Sequence, residues 1–103
     1  MVSLSLRKNI KNYLKRIPYR KIILFGSRAG INYTDQSDFD LLIILSKTMT
    51  IHEKRHISTL LRKRFASKMI DADVIVKDEE DIEYLKDKPG SIVRNALREG
   101  ICI

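Results

Sequence analysis

Hydrophobic positions change period five times along this chain. From Ser5 to Ile17 the apolar residues Leu6, Ile10, Tyr13, Leu14 and Ile17 recur at helical spacing, with basic residues opposite, so the pattern predicts an amphipathic helix closed by Pro18. Arg20 to Phe25 is short and rich in β-branched residues and reads as a strand ending at Gly26-Ser27. The polar run from Asn32 to Ser37 reads as a loop. Asp38 to Leu45 alternates, with Phe39, Leu41, Ile43 and Leu45 on one face. Leu42 and Ile44 continue the face opened by Asp38 and Asp40, so this second strand is covered on both sides.

Thr50 and Glu53 are spaced as a capping box, and they open a helix whose apolar stripe is Ile57, Leu60, Leu61, Phe65 and Met69, with Arg62, Lys63 and Arg64 on its exposed side. Period two returns from Met69 to Val76. Ile70, Ala72, Val74 and Val76 share one face, and Asp71, Asp73 and Ile75 the other. Asp78 to Lys86 is an acid-led helix, suited to the positive end of its dipole, and Pro89-Gly90 stops it. Ser91 caps a last helix running to Glu99, Gly100 closes it, and Ile101 to Ile103 can add a short strand.

Composition alters this picture little. The 103 residues, 44% hydrophobic and 32% charged, fit one globular domain over 1–103. No signal-peptide core is visible and no apolar run is long enough to span a bilayer, so a cytoplasmic protein without a membrane partner is expected. The single cysteine, Cys102, permits no internal disulfide and reads as a small apolar residue. Charge adds more. The first 21 residues hold seven bases and no acid, which accounts for the whole net charge of +7, and such a basic patch can receive a nucleic acid, an acidic protein or a triphosphate, or can be a solvated helix face.

The chemistry lies in Gly26 to Leu45. Asp38 and Asp40 point to one face about 6.6 Å apart at roughly 3.3 Å per residue, a costly pairing at the mouth of a core strand unless a cation lies between them. Hard oxygen donors of this kind suit Mg²⁺ or Mn²⁺. If Ser27, Arg28 and Ala29 begin a helical turn, its free N–H groups and the Ser27 hydroxyl can hold phosphate oxygens, and Gly26 leaves their approach open.

At Gly26, Ser27, Arg28, Ala29, Ser37, Asp38, Asp40 and Leu41 the chain resembles the minimal nucleotidyltransferases of the DNA polymerase β superfamily, whose pattern is Gly-Ser-Arg-Ala, a short loop, then Ser-Asp-x-Asp-Leu. The resemblance extends to the ending, Ser91 to Ile103. It implies the α/β (α+β) nucleotidyltransferase fold, a small mixed sheet flanked by helices in a single domain. It also implies a third carboxylate from a neighbouring strand. Asp73, followed by Val74-Ile75-Val76, matches that pattern best, while Asp71 faces the same way and stays open.

By this resemblance Asp38 and Asp40 hold two Mg²⁺ ions, Asp73 holds one and helps to deprotonate an acceptor hydroxyl, and Gly26, Ser27 and Arg28 grip the phosphates of ATP or another nucleoside triphosphate. Arg28 can instead pair with Asp35 or Asp38. Many members follow Gly-Ser-Arg-Ala with Arg-Gly, whereas Gly30-Ile31 stands here, so that arginine's phosphate contact is absent. Minimal members are commonly paired with helical HEPN proteins as toxin–antitoxin systems, which implies an antitoxin that transfers AMP to a tyrosine hydroxyl of a HEPN partner. A homo-oligomer is also open. The competing expectations are an inactive nucleotidyltransferase fold acting by contact or as a basic nucleic-acid binder, and a zinc hydrolase, because His52-Glu53-Lys54-Arg55-His56 matches H-E-x-x-H. In that stretch solvated histidines and a capping Glu53 fit better.

Overall fold

The computed structural model describes residues 4–26 and 39–103. Helix α1 (Leu4–Tyr13) leads into β1 (Tyr19–Phe25); β2 (Phe39–Leu45), α2 (Ile51–Ser67) and β3 (Ala72–Lys77) follow, and α3 (Glu79–Leu85), α4 (Ile92–Glu99) and β4 (Ile101–Cys102) complete the described chain. The sheet order is β3-β2-β1-β4. β1 is antiparallel to β2 and β4, while β2 and β3 run parallel with α2 as their crossover. The sheet is therefore mixed, as expected.

Period-two alternation sorts the side chains onto two buried faces. Ile22, Leu24, Leu41, Ile43, Leu45, Val74 and Val76 pack with Ile10 and Leu14 and with Ile57, Leu61 and Phe65 of α2. On the other face Ile23, Leu42 and Ile44 pack against Ile82 of α3 and Val93 and Ala96 of α4. Layers on both sides explain why β2 is apolar at every position from Leu41 to Leu45. No helix among the described residues is long and apolar enough to cross a membrane.

Three local expectations change. Helix α1 ends at Tyr13 rather than Ile17: the next N–H groups turn to three-residue bonds (Leu14 to Lys11 O, 3.2 Å; Ile17 to Leu14 O, 3.0 Å), and Arg16 adopts a left-handed φ of 70°. Arg64, expected on a solvated face, reaches across from α2 and donates to the freed carbonyl of Tyr13 at 2.8 Å. Met69 belongs neither to the apolar stripe of α2 nor to β3. It is 96% exposed with φ 60°, at the turn where Met69 N–H meets Ala66 O and Ile70 N–H meets Phe65 O, a Schellman closure normally given to glycine. Cys102 is exposed on β4 rather than packed as an apolar residue.

Other ends are as the sequence predicts. Thr50 and Glu53 form a reciprocal capping box, Asp78 and Asp81 form a second, and Ser91 caps α4. Gly100 follows α4 with an extended φ of −78°, so its freedom is steric rather than conformational. A Cβ there would overlap Ile23 Cγ2 and the Ala96 carbonyl, and its absence lets β4 close onto β1.

Candidate active site

β1 ends where β2 and β3 begin, so Gly26, which follows β1, and the first residues of two parallel strands meet at one end of the sheet. Asp40 is the second residue of β2 and Asp73 the second of β3, and the two are register partners. Partners on adjacent strands share a face, here the one shared with Leu42, Ile44 and Ile75. Two carboxylates from distant parts of the sequence thus stand side by side. Phe25 is paired with Asp40 on the other flank, and the next residue, Gly26, has φ 75°. A Cβ on Gly26 would overlap Asp40 Oδ2, so only glycine lets the backbone pass this close to the carboxylate.

A cavity of about 350 Å³ opens here, lined by Phe25, Asp40, Arg62, Asp73, Ile75 and Ile92. Asp73 is exposed and Asp40 half-buried. Asp71 is exposed, precedes β3 and does not line this cavity. Ser27, Arg28 and Asp38 lie outside the described residues. Among the described residues no group of three or more acidic, histidine or cysteine side chains is placed to share a metal. The two that are placed together, Asp40 and Asp73, are hard oxygen donors on one face at the mouth of a cavity, a donor set that fits Mg²⁺ or Mn²⁺.

Arg62 was not among the sequence candidates. Ser58 Oγ donates to Val74 O at 2.8 Å, which fixes α2 along the outer edge of β3, and one turn later the same helix side brings Arg62 round to the Asp73 end. The i, i+4 spacing of Ser58 and Arg62 was visible in the sequence. Which strand edge that side of the helix would flank was not.

The H-E-x-x-H segment opens α2 elsewhere. His52 and His56 are exposed, and Glu53 accepts from Thr50 N–H at 3.2 Å. Hydrogen bonds from the backbone and side chain of Thr50 hold the Glu53 carboxyl below its ordinary range, against a smaller upward push from burial. A hydrolytic general base needs the opposite shift. Glu53 is a capping residue.

A second acidic group is structural. Asp78 is buried at the start of α3, where burial pushes its carboxyl up, but N–H donors of Asp81 and Met49 and the Lys54 ammonium outweigh this and leave it below the ordinary value. Lys54 Nζ lies 3.1 Å from Asp78 Oδ2 and 2.6 Å from Asp81 Oδ2, tying α2 to α3. A cavity of about 470 Å³ lies beside Lys54 and Asp81, lined also by Ile51, Arg55, Ser58 and Val74 to Lys77 but by neither Asp40 nor Asp73.

The family model described as polymerase beta, nucleotidyltransferase matches residues 8–103. Comparison with curated proteins finds no match. Among solved structures, a mutant form of the toxin–antitoxin MntA–HpeT is 16% identical with a TM-score of 0.62, over 100% of this chain and 72% of that one. A second mutant form is 14% identical with a TM-score of 0.60, over 92% and 69%. A protein from Sulfolobus solfataricus, described as a nucleotidyltransferase, is 25% identical with a TM-score of 0.55, over 96% and 77%. These likenesses place the described elements in one common fold.

Proposed function

Because the chain belongs to the polymerase β nucleotidyltransferase family, we propose that it transfers a nucleoside monophosphate, AMP from ATP, to a hydroxyl of a HEPN-type protein and thereby acts as an antitoxin. The observation that carries the reading is the juxtaposition of Asp40 and Asp73, with Gly26 against the Asp40 carboxylate. The likeness to MntA of a toxin–antitoxin pair supports the choice of partner.

In this reading the Gly26-Ser27 turn, with Arg28, holds the β and γ phosphates and compensates charge that moves onto the leaving group. Gly26 lies against the Asp40 carboxylate, and phosphates held beyond it would bring the α-phosphate over the carboxylates. Asp38, Asp40 and Asp73 would hold two Mg²⁺ ions, which supply charge neutralisation at the α-phosphate and the leaving oxygen. Asp73 takes the acceptor proton. The acceptor oxygen bonds to the α-phosphorus as the bond to the bridging oxygen breaks, and pyrophosphate leaves.

The test is co-expression with the partner and incubation of the purified pair with ATP labelled at the α-phosphate. Label on the partner, lost with Asp40→Ala together with neutralisation of its toxicity, is the expected result. Absence of label while Asp40→Ala still neutralises would make the chain a contact antitoxin.

A further inference from the structure

β3 stands at the end of the sheet order, paired with β2 on one side and with no other described strand on the other. Backbone groups of alternate residues point to opposite edges of a strand. The Val74 carbonyl, which accepts from Ser58 Oγ of α2 at 2.8 Å, therefore fixes the outward set as Ala72, Val74 and Val76. Proteins commonly guard such an edge with charge, proline or a bulge. Here its centre reads Val74-Ile75-Val76, with charge only at the flanking Asp73 and Lys77.

A cavity lies on each side of this edge. The one of about 470 Å³ is bounded on α2 by Lys54, Arg55 and Ser58, and on the sheet by four consecutive residues, Val74 to Lys77. Side chains alternate between faces, so a cavity touched by four residues in a row looks onto the backbone edge of the strand. The second, of about 360 Å³, lies on the face of α3 and α4, where Ile75 and Lys77 meet Leu85, Ile92 and Val93. A large apolar side chain stands exposed at each, Ile51 at 63% and Ile92 at 53%.

We propose that the outer edge of β3 is a docking site for an extended acidic segment of a partner protein, which joins the sheet as an antiparallel strand. Main-chain bonds hold such a segment, and pockets for alternate side chains select it. Antiparallel pairing suits so short an edge, because one partner residue satisfies both the N–H and the C=O of Val76. That residue shares the α2 face of Val76 and comes to Arg55. The residue after it, level with Ile75, points to the cavity lined by Leu85, Ile92 and Val93, and the residue before it meets Lys77.

Charge chooses the occupant. Lys54 is already held by Asp78 and Asp81, whereas the side chains of Arg55 and Lys77 make no ion pair or hydrogen bond with another described residue. The segment that fits reads acid, acid, apolar, with its acids level with Lys77 and Val76. A second copy of this chain fits less well: its β3 would present Ala72, Val74 and Val76 on the α2 side, with no acid for Arg55. The site uses neither Asp40 nor Asp73 and is independent of the nucleotidyl-transfer reading.

The probe is acetyl-Thr-Glu-Glu-Ile-Thr-amide, titrated into the full chain and followed by amide NMR. Shifts of the Val74 and Val76 amides are expected, with exchange of the Val76 N–H slowed about tenfold or more at saturation. N-methylation of the second glutamate removes the bond to the Val76 carbonyl without touching the protein, and should weaken binding about fivefold or more. Arg55→Glu should weaken the parent peptide by about the same factor and favour a peptide carrying lysine at that position. An N-methyl peptide bound as tightly as the parent, or shifts confined to the basic residues of α1, overturns strand addition. Single-stranded oligouridine moving Arg55 and Lys77 at lower concentration than the peptide would make the edge a nucleic-acid surface and overturn it as well. A concentration-dependent dimer that shifts Val76 with no peptide present would give the edge to a second copy and refute the acidic partner.

Discussion

At the scale of single residues, the site depends on which side chains the sheet register brings level. Asp73 is level with Asp40 and Asp71 is not within the strand, so the two neighbouring acids should differ sharply. Asp73→Asn is expected to lower nucleotidyl transfer by about 100- to 1000-fold, and Asp71→Asn by less than about threefold, in single-turnover assays with labelled ATP. Gly26→Ala should combine both penalties described above, a strained left-handed φ and overlap with Asp40 Oδ2, and lose a comparable factor in rate. Its free energy of unfolding, measured in urea, should fall by about 1–2 kcal/mol. Much of this was legible in the sequence. Period two put Asp40 and Asp73 on faces shared with Leu42 and Ile75, and Gly26 stood where a backbone must turn. Arg62 was not legible, because its place depends on how a whole helix lies along a strand edge.

At the scale of elements, most boundaries were written in local chemistry. Thr50 with Glu53, Asp78 with Asp81, and Ser91 are side-chain caps whose partners lie three residues away, so the chain announces them. The misjudged ends carry no such side-chain signal. α1 stops at Tyr13, whose carbonyl accepts from Arg64 of α2, and no periodicity in the first twenty residues encodes that contact. Met69 kept the apolar period of its neighbours while the backbone needed a left-handed residue. Met69→Gly should therefore raise stability by about 0.5–1 kcal/mol in chemical denaturation, since glycine carries no left-handed penalty and the side chain it removes is exposed.

The junction of α2 and α3 yields a pH dependence. Asp78 is held below its ordinary value of 3.8 in the folded chain, so its contribution to stability is complete above that value and lost as pH falls through the lower folded one. Lys54→Met should cost about 2 kcal/mol near neutrality by leaving a buried carboxylate without its ammonium. The same change raises the folded Asp78 value, so acid unfolding followed by circular dichroism should begin at a higher pH than in the parent.

At the scale of the whole molecule, charge and topology act together. The basic excess of the first 21 residues falls largely on exposed positions, Lys8, Lys11, Lys15 and Arg16 among them. Any polyanion should be drawn there. Binding of single-stranded RNA followed by fluorescence anisotropy should weaken steeply with salt, and neutralising those four residues should flatten the dependence of log K on log salt by about two to three. A slope unchanged by the substitutions would make the helix a solvated face.

The parallel pairing of β2 with β3 has a consequence for how the protein gains its activity. All of α2 lies between Asp40 and Asp73, and long-range parallel pairing forms late because the intervening chain must close first. The antiparallel β1–β2 ribbon carries one half of the centre and can form without the other. During refolding, enzymatic competence should thus lag behind secondary structure, and mild denaturant should silence turnover before the bulk of the sheet melts: the crossover is the clasp that arms the molecule.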